Sequence, residues 1–87
     1  MPLVYLPVQL RDLTGGISQI SLPGNTVREI IKSLEAQFPG LKSRLCRDEE
    51  LAPGLQVTID SQLSTRGIRA KVGMNSEVHF LPAIGGG

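Results

Sequence analysis

Apolar residues recur along this chain with two periods, near two and near 3.6 residues, and each change of period marks a new element. Leu3–Leu10 reads as a first strand, with Val4 and Leu6 on one face and Leu3 and Tyr5 on the other. Thr14-Gly15-Gly16 supplies turn chemistry, because glycine accepts the positive φ that tight hairpins require. Ile17–Leu22 is the expected return strand, with Ile20 and Leu22 toward the core, and Pro23-Gly24 ends it.

The period then lengthens. Thr26-Val27-Arg28-Glu29 has the form of a capping box, with the Thr26 hydroxyl accepting from the Glu29 amide and the Glu29 carboxylate reaching back to the Thr26 amide. Val27, Ile30, Ile31, Leu34 and Phe38 follow at helical spacing on one stripe, and Pro39-Gly40 stops the helix. Leu41–Cys46 predicts a short helical turn with Leu41 and Leu45 inward, and Arg47–Gly54 a loop. Leu55–Ile59 alternates as a strand, and Asp60–Ser64 reads as a turn. Arg66–Val72 is irregular, with a short edge strand expected near Ile68. Gly73–Ser76 turns the chain into a last strand, Glu77–Leu81, with Val78 and Phe80 inward. The inward residues Val4, Leu6, Ile20, Leu22, Leu55, Val57, Ile59, Val78 and Phe80 would all pack on the helix stripe. The prediction is a two-layer α+β fold, a mixed sheet of about four or five strands on one main helix.

Composition narrows the chemistry. Eighty-seven residues make one small domain. Nine Lys+Arg against eight Asp+Glu leave a net charge of +1, with no basic stripe, so no nucleic acid is expected as a partner. One tyrosine and two phenylalanines are too few for base-stacking platforms. The single cysteine, Cys46, forms no internal disulfide and no cysteine-based zinc cluster, and a reducing cytoplasm is the simplest compartment. It reads either as a small packing residue or as a thiol activated by nearby Arg44 and Arg47. Asp48-Glu49-Glu50 reads as a solvated run, and no metal site is expected. The opening ten residues lack a basic segment and a small-residue cleavage site, and no apolar run approaches membrane-spanning length. No membrane partner is expected.

The chain ends on Gly85-Gly86-Gly87, directly after the strand-like Val78–Ile84. Glycines bury no side chain and lose the most backbone freedom on ordering, so they make a poor packed terminus. They do make a slim thread ending in the Gly87 α-carboxylate, which can enter another protein's active site. Residues 1–84 are expected as the folded domain and 85–87 as a flexible tail.

The element order and this tail resemble the ubiquitin-like β-grasp fold, and within it the ThiS/MoaD family of sulfur-carrier proteins. Leu10-Arg11 with Thr14-Gly15-Gly16 looks like the family's first hairpin. Gly24-Asn25-Thr26-Val27, Leu34 and Pro39-Gly40-Leu41 look like its helix and helix exit, and Glu77 through Gly87 like its closing strand and tail. Ile59-Asp60-Ser61-Gln62 and Asn75-Ser76 depart from the family's usual turn residues, and Gly85 stands where alanine is common.

The resemblance implies a carrier and co-substrate, not an enzyme. An E1-like adenylyltransferase would use ATP to convert the Gly87 carboxylate to an acyl-adenylate, and a sulfur donor would turn that into a thiocarboxylate. A sulfur-accepting synthase in molybdopterin, cysteine or thiamine biosynthesis would then take the sulfur. No cofactor would be bound by the chain itself, which is expected to be a monomer when free. Gly85 and Gly86 would be the narrow approach to the partner's site. The alternative is a ubiquitin-like modifier joined through Gly87 to a lysine, and a third reading is a β-grasp binding module with an inert tail. His79 has no paired nucleophile or acid at a suggestive spacing and reads as an exposed strand residue. Leu3, Tyr5, Ile17, His79 and Leu81 would share the sheet face away from the helix as a partner-binding patch, ringed by Arg11, Arg66, Arg69 and Lys71.

Overall fold

The computed structural model describes residues 1–82. Its elements in chain order are β1 (Leu3–Tyr5), β2 (Gln19–Ser21), α1 (Val27–Gln37), α2 (Leu41–Leu45), β3 (Cys46–Arg47), β4 (Glu50–Leu51), β5 (Leu55–Ile59), β6 (Gln62–Leu63) and β7 (Glu77–Pro82). Five strands form one mixed sheet in the order β2-β1-β7-β5-β6, and β3 and β4 form a separate hairpin. β1 and β7 run parallel, with Val4 opposite Val78; every other pair in the main sheet is antiparallel.

β7 is therefore the middle strand, held on both sides. β1 reaches only as far as the Tyr5–His79 pair, whereas β5 follows β7 from Ile59–Val78 to Leu55–Pro82. Pro82 has no amide hydrogen to offer, and it falls where β7 has outrun β1, so the missing donor is tolerated.

α1 begins as its sequence directs. The Glu29 amide donates to Thr26 Oγ1 at 3.2 Å. The return arm differs from the capping-box expectation: the Glu29 carboxylate accepts from the Asn25 amide at 2.8 Å, one residue earlier, while the Thr26 strand-like backbone bridges Lys71. Val27, Ile30, Ile31 and Leu34 are buried, as are Leu41 and Leu45 of α2. They join Val4, Leu22, Val57, Val78 and Phe80 in one core, with Ile20, Phe38, Leu55 and Ile59 packed at its margin. Glu35 ties α1 to α2 by accepting from the Gly40 and Lys42 amides.

Four stretches differ from the sequence expectation. The first strand stops at Tyr5, because Pro7 cannot donate and opens a 3-10 turn over Val8–Leu10. Arg47–Gly54 is no simple loop: Asp48 and Glu49 both take positive φ, 53° and 64°, and fold β3 onto β4. Asp60 and Ser61 do the same at 52° and 70°, so the expected turn Asp60–Ser64 contains strand β6. The edge strand near Ile68 is a 3-10 turn, Gly67–Arg69, that buries Ile68 against the core.

Candidate functional site

The middle strand carries the candidate site. Side chains alternate across a strand, so burial of Val78 and Phe80 turns Glu77, His79 and Leu81 to the opposite face. The same parity in β1 and β5 sends Leu3, Tyr5, Gln56 and Thr58 outward, away from α1. Strand register then sets these residues in rows. Gln19, Tyr5, His79, Thr58 and Leu63 are successive partners across all five strands. Leu81 lies one step further along β7, beside Gln56.

At the centre of the row, the Tyr5 and His79 rings stack with centroids 4.0 Å apart and an interplanar angle of 5°. This stack half-buries His79, so the residue lies in a strand as expected but is less exposed than expected. His79 Nε2 lies 3.7 Å from Glu77 Oε1, and both side chains remain reachable by solvent, 34% and 58% exposed. Leu81 is 38% exposed and Leu63 56%.

The structure thus brings Leu3, Tyr5, His79 and Leu81 to one face. Ile17 is exposed but sits in the segment before β2, outside the paired rows. Leu63 is the residue that sequence reasoning missed; its only signal was an apolar side chain in a segment read as a turn. The expected basic ring also needs correction. Arg66 and Arg69 line a groove with Glu49, Glu50 and Ile68, beside the β3–β4 hairpin. Lys71 bridges Thr26 at the start of α1, and the Arg11 guanidinium donates to the Leu6 carbonyl at 3.4 Å. The apolar residues of the face are interspersed instead with Gln19, Ser21, Gln56, Thr58 and the carboxylate of Glu77. Gly85, Gly86 and Gly87 lie outside the described residues.

A second surface lies on the helix side. An open cleft of about 650 Å³ runs between α1, α2 and the hairpin, lined by Arg28, Ile31, Lys32, Lys42, Cys46 and Glu49 among others. Arg28 Nη2 and Glu49 Oε2 pair across it at 2.6 Å. The Cys46 thiol is pushed above its ordinary value, first by burial, with Glu49 adding to the rise and Lys42 and Arg28 opposing it. Arg44 and Arg47 do not activate it. Arg44 donates instead to the Gln9 carbonyl at 3.1 Å. Among the described residues no group of three or more His, Cys, Asp or Glu side chains comes together as a metal site, and no helix is long and apolar enough to cross a membrane.

A mixed sheet gripping one main helix, with a parallel pair at its centre, defines a ubiquitin-like β-grasp protein. The chain belongs to the ThiS family, whose model matches residues 4–87. The sulfur carrier protein CysO of Mycobacterium tuberculosis is 30% identical over 97% of this chain and 96% of its own length. Among solved structures, a chain of the BexX/CysO complex of Amycolatopsis orientalis is 32% identical, covers both chains completely and superposes with a TM-score of 0.90. Small archaeal modifier protein 1 of Methanosarcina acetivorans shares the fold at 22% identity, with a TM-score of 0.80 over 99% of this chain and 95% of its own. The chain is homologous to sulfur carrier proteins, which carry a group for other proteins to act on.

Proposed function

We propose that the chain is a sulfur carrier whose Gly87 carboxylate is converted to a thiocarboxylate, and that it meets its partners through the outer face of the sheet. The observation that carries this reading is the family match, which runs through the closing strand to Gly87. A carboxylate is a poor acyl donor until one oxygen becomes a good leaving group. An ATP-dependent, E1-like adenylyltransferase would supply that group: the Gly87 carboxylate attacks ATP, pyrophosphate leaves, and an acyl-adenylate remains. A sulfide equivalent then displaces AMP. The glycines of residues 85–87 have no side chains to clash with a narrow, water-excluding site. Residues 1–84 act as the handle. A partner of the BexX kind, named in the complex that contains the homologous chain, fits the role of sulfur acceptor.

The test is intact-mass measurement after incubation with the source organism's adenylyltransferase, ATP and sulfide. The expected result is one oxygen replaced by sulfur at Gly87, and no change when a residue is appended after Gly87. Lysine adducts joined through Gly87, with no thiocarboxylate, would assign the modifier role instead.

A further inference from the structure

The β3–β4 hairpin stands apart from the main sheet, and its base and its tip are held very differently. At the base, the Ala52 amide donates to the carbonyl of buried Leu45 at 2.8 Å. Cys46 and Leu51, opposite each other across the two strands, both pack at the margin of the core. Leu51 also lies beside Gly67, where the turn that buries Ile68 begins. The tip hangs by much less. Arg47, Asp48, Glu49 and Glu50 are all exposed. Among the described residues, the one side-chain hydrogen bond from the tip to another element is donated by Arg28 of α1 to Glu49. That pair is short, 2.6 Å, yet its side chains are 55% and 78% exposed.

Asp48 and Glu49 turn the chain at φ of 53° and 64°, left-handed backbone that L-residues enter at a cost. The Asp60 turn offsets the same cost with two hydrogen bonds to its carboxylate, from the Ser76 hydroxyl and the Glu77 amide. Among the described residues the Asp48 carboxylate accepts none, so the tip is bent against its own backbone preference and tethered by an exposed ion pair, which is a weak restraint. The tether also spans the helix-side cleft. Arg28, Ile31 and Lys32 of α1 line one wall, Asp48 and Glu49 the other, and Cys46 lies at the foot of the hairpin.

We propose that the tip of the β3–β4 hairpin is a flap over the helix-side cleft, hinged at the Leu45–Ala52 base and latched to α1 by the Arg28–Glu49 pair. With the latch closed, the tip narrows the cleft and Cys46 stays half-buried. With the latch open, the tip swings away from α1, and the wall at Ile31 and the thiol become reachable while the core stays packed. The flap is independent of the tail chemistry and of what the outer face of the sheet meets.

Cys46 reports on the flap, because it is the one cysteine of the chain. Its alkylation by iodoacetamide is followed in wild type, Arg28→Gln and Glu49→Gln. Arg28 favours the thiolate and Glu49 opposes it, so the two substitutions move the thiol's proton affinity in opposite directions. Rates are therefore compared per thiolate, taken from the pH dependence of alkylation in each variant. Release of the latch is expected to accelerate both variants, by about threefold for an exposed ion pair. The charge-swapped double variant, Arg28→Glu with Glu49→Arg, restores the pair and is expected to return to the wild-type rate. If either single variant reacts no faster per thiolate than wild type, or the double variant stays as fast as the singles, the latch is overturned. Hydrogen exchange at the Val78 and Phe80 amides in the middle of the sheet is expected to stay unchanged throughout. Acceleration there to match that at Cys46 would assign the exposure to global unfolding and overturn the flap as well.

Discussion

The two faces of this sheet are built from the same strands and obey opposite demands. Val4, Val57, Val78 and Phe80 point inward and are 1% exposed or less. Leu3, Tyr5, His79 and Leu81 alternate with them residue by residue and stay within reach of solvent. The inner face is judged by how well it fills space against α1, since interiors pack at crystal-like density and any lost volume is felt. Among the described residues no layer covers the outer face. Its residues are restrained by strand register and by side-chain contacts within the face, such as the Tyr5–His79 stack, so their identity can also be set by what they meet outside. On the proposed reading of the outer face as the docking surface, fold stability and partner contact are thus separated by the period-two geometry of one strand, β7.

The largest expected effect tests that separation directly. Phe80→Ala empties the inner face beside α1 and should cost about 3–5 kcal/mol, a typical figure for a buried aromatic truncation. A domain of ordinary stability has only about 5–15 kcal/mol in total. Leu81→Ala, one residue away, should change stability by about 0.5 kcal/mol or less. Urea unfolding of both variants reads the difference. Equal losses would mean that the outer face is a second core.

Next in size is the converse. The double substitution Leu63→Ser and Leu81→Ser should leave the unfolding midpoint near wild type and weaken binding to a BexX-type partner by at least about tenfold, or roughly 1.4 kcal/mol. Affinity unchanged alongside a lowered midpoint would invert the assignment of the two faces.

A smaller effect concerns the layer that covers the inner face. Thr26→Ala removes the acceptor for the Glu29 amide and should cost about 1 kcal/mol. Partner affinity should not move, because Thr26 is on the helix side. A loss of affinity without a loss of stability would place the contact surface on α1 instead.

The inner face was the more legible of the two, and the reasons are physical. Its signals are periodic and local: the stripe from Val27 to Leu34, the Thr26 cap, and the alternation Val78-Phe80 each follow from backbone geometry over a few residues. The outer face depends on register, which pairs Tyr5 with His79 across more than seventy residues of chain, and no local pattern announces a stack. Leu63 was hidden by turn chemistry. Asp60 and Ser61 adopt left-handed backbone without a glycine to mark it, a conformation that L-residues enter at a cost. That cost is offset on the spot, since the Asp60 carboxylate accepts from the Ser76 hydroxyl and the Glu77 amide, both at 2.9 Å. Asp48 and Glu49 hid the β3–β4 hairpin in the same way, with Glu49 held by Arg28. Pro7 did carry a signal against a first strand running to Leu10, and its missing amide is the reason the strand stops.

The helix-side cleft supplies the last contrast, a surface that holds a potential nucleophile and keeps it quiet. A thiol reacts as its thiolate, and burial of Cys46 disfavours that form more than Lys42 and Arg28 promote it. Alkylation by iodoacetamide near neutral pH should therefore be slower than for an unstructured peptide cysteine, and should reach the same rate in denaturant. The raised value also fixes the sign of a stability change. The folded chain holds the proton more tightly than the unfolded chain, whose thiol titrates near the ordinary 9.0. The stability contributed by the protonated thiol is fully present below that value and is lost as pH rises through the higher folded value. Stability of the wild-type chain should accordingly fall more steeply above about pH 9 than that of Cys46→Ala, which has no thiol to titrate. A fast-reacting Cys46, or a steeper alkaline decline in the alanine variant, would show that the cleft activates the thiol.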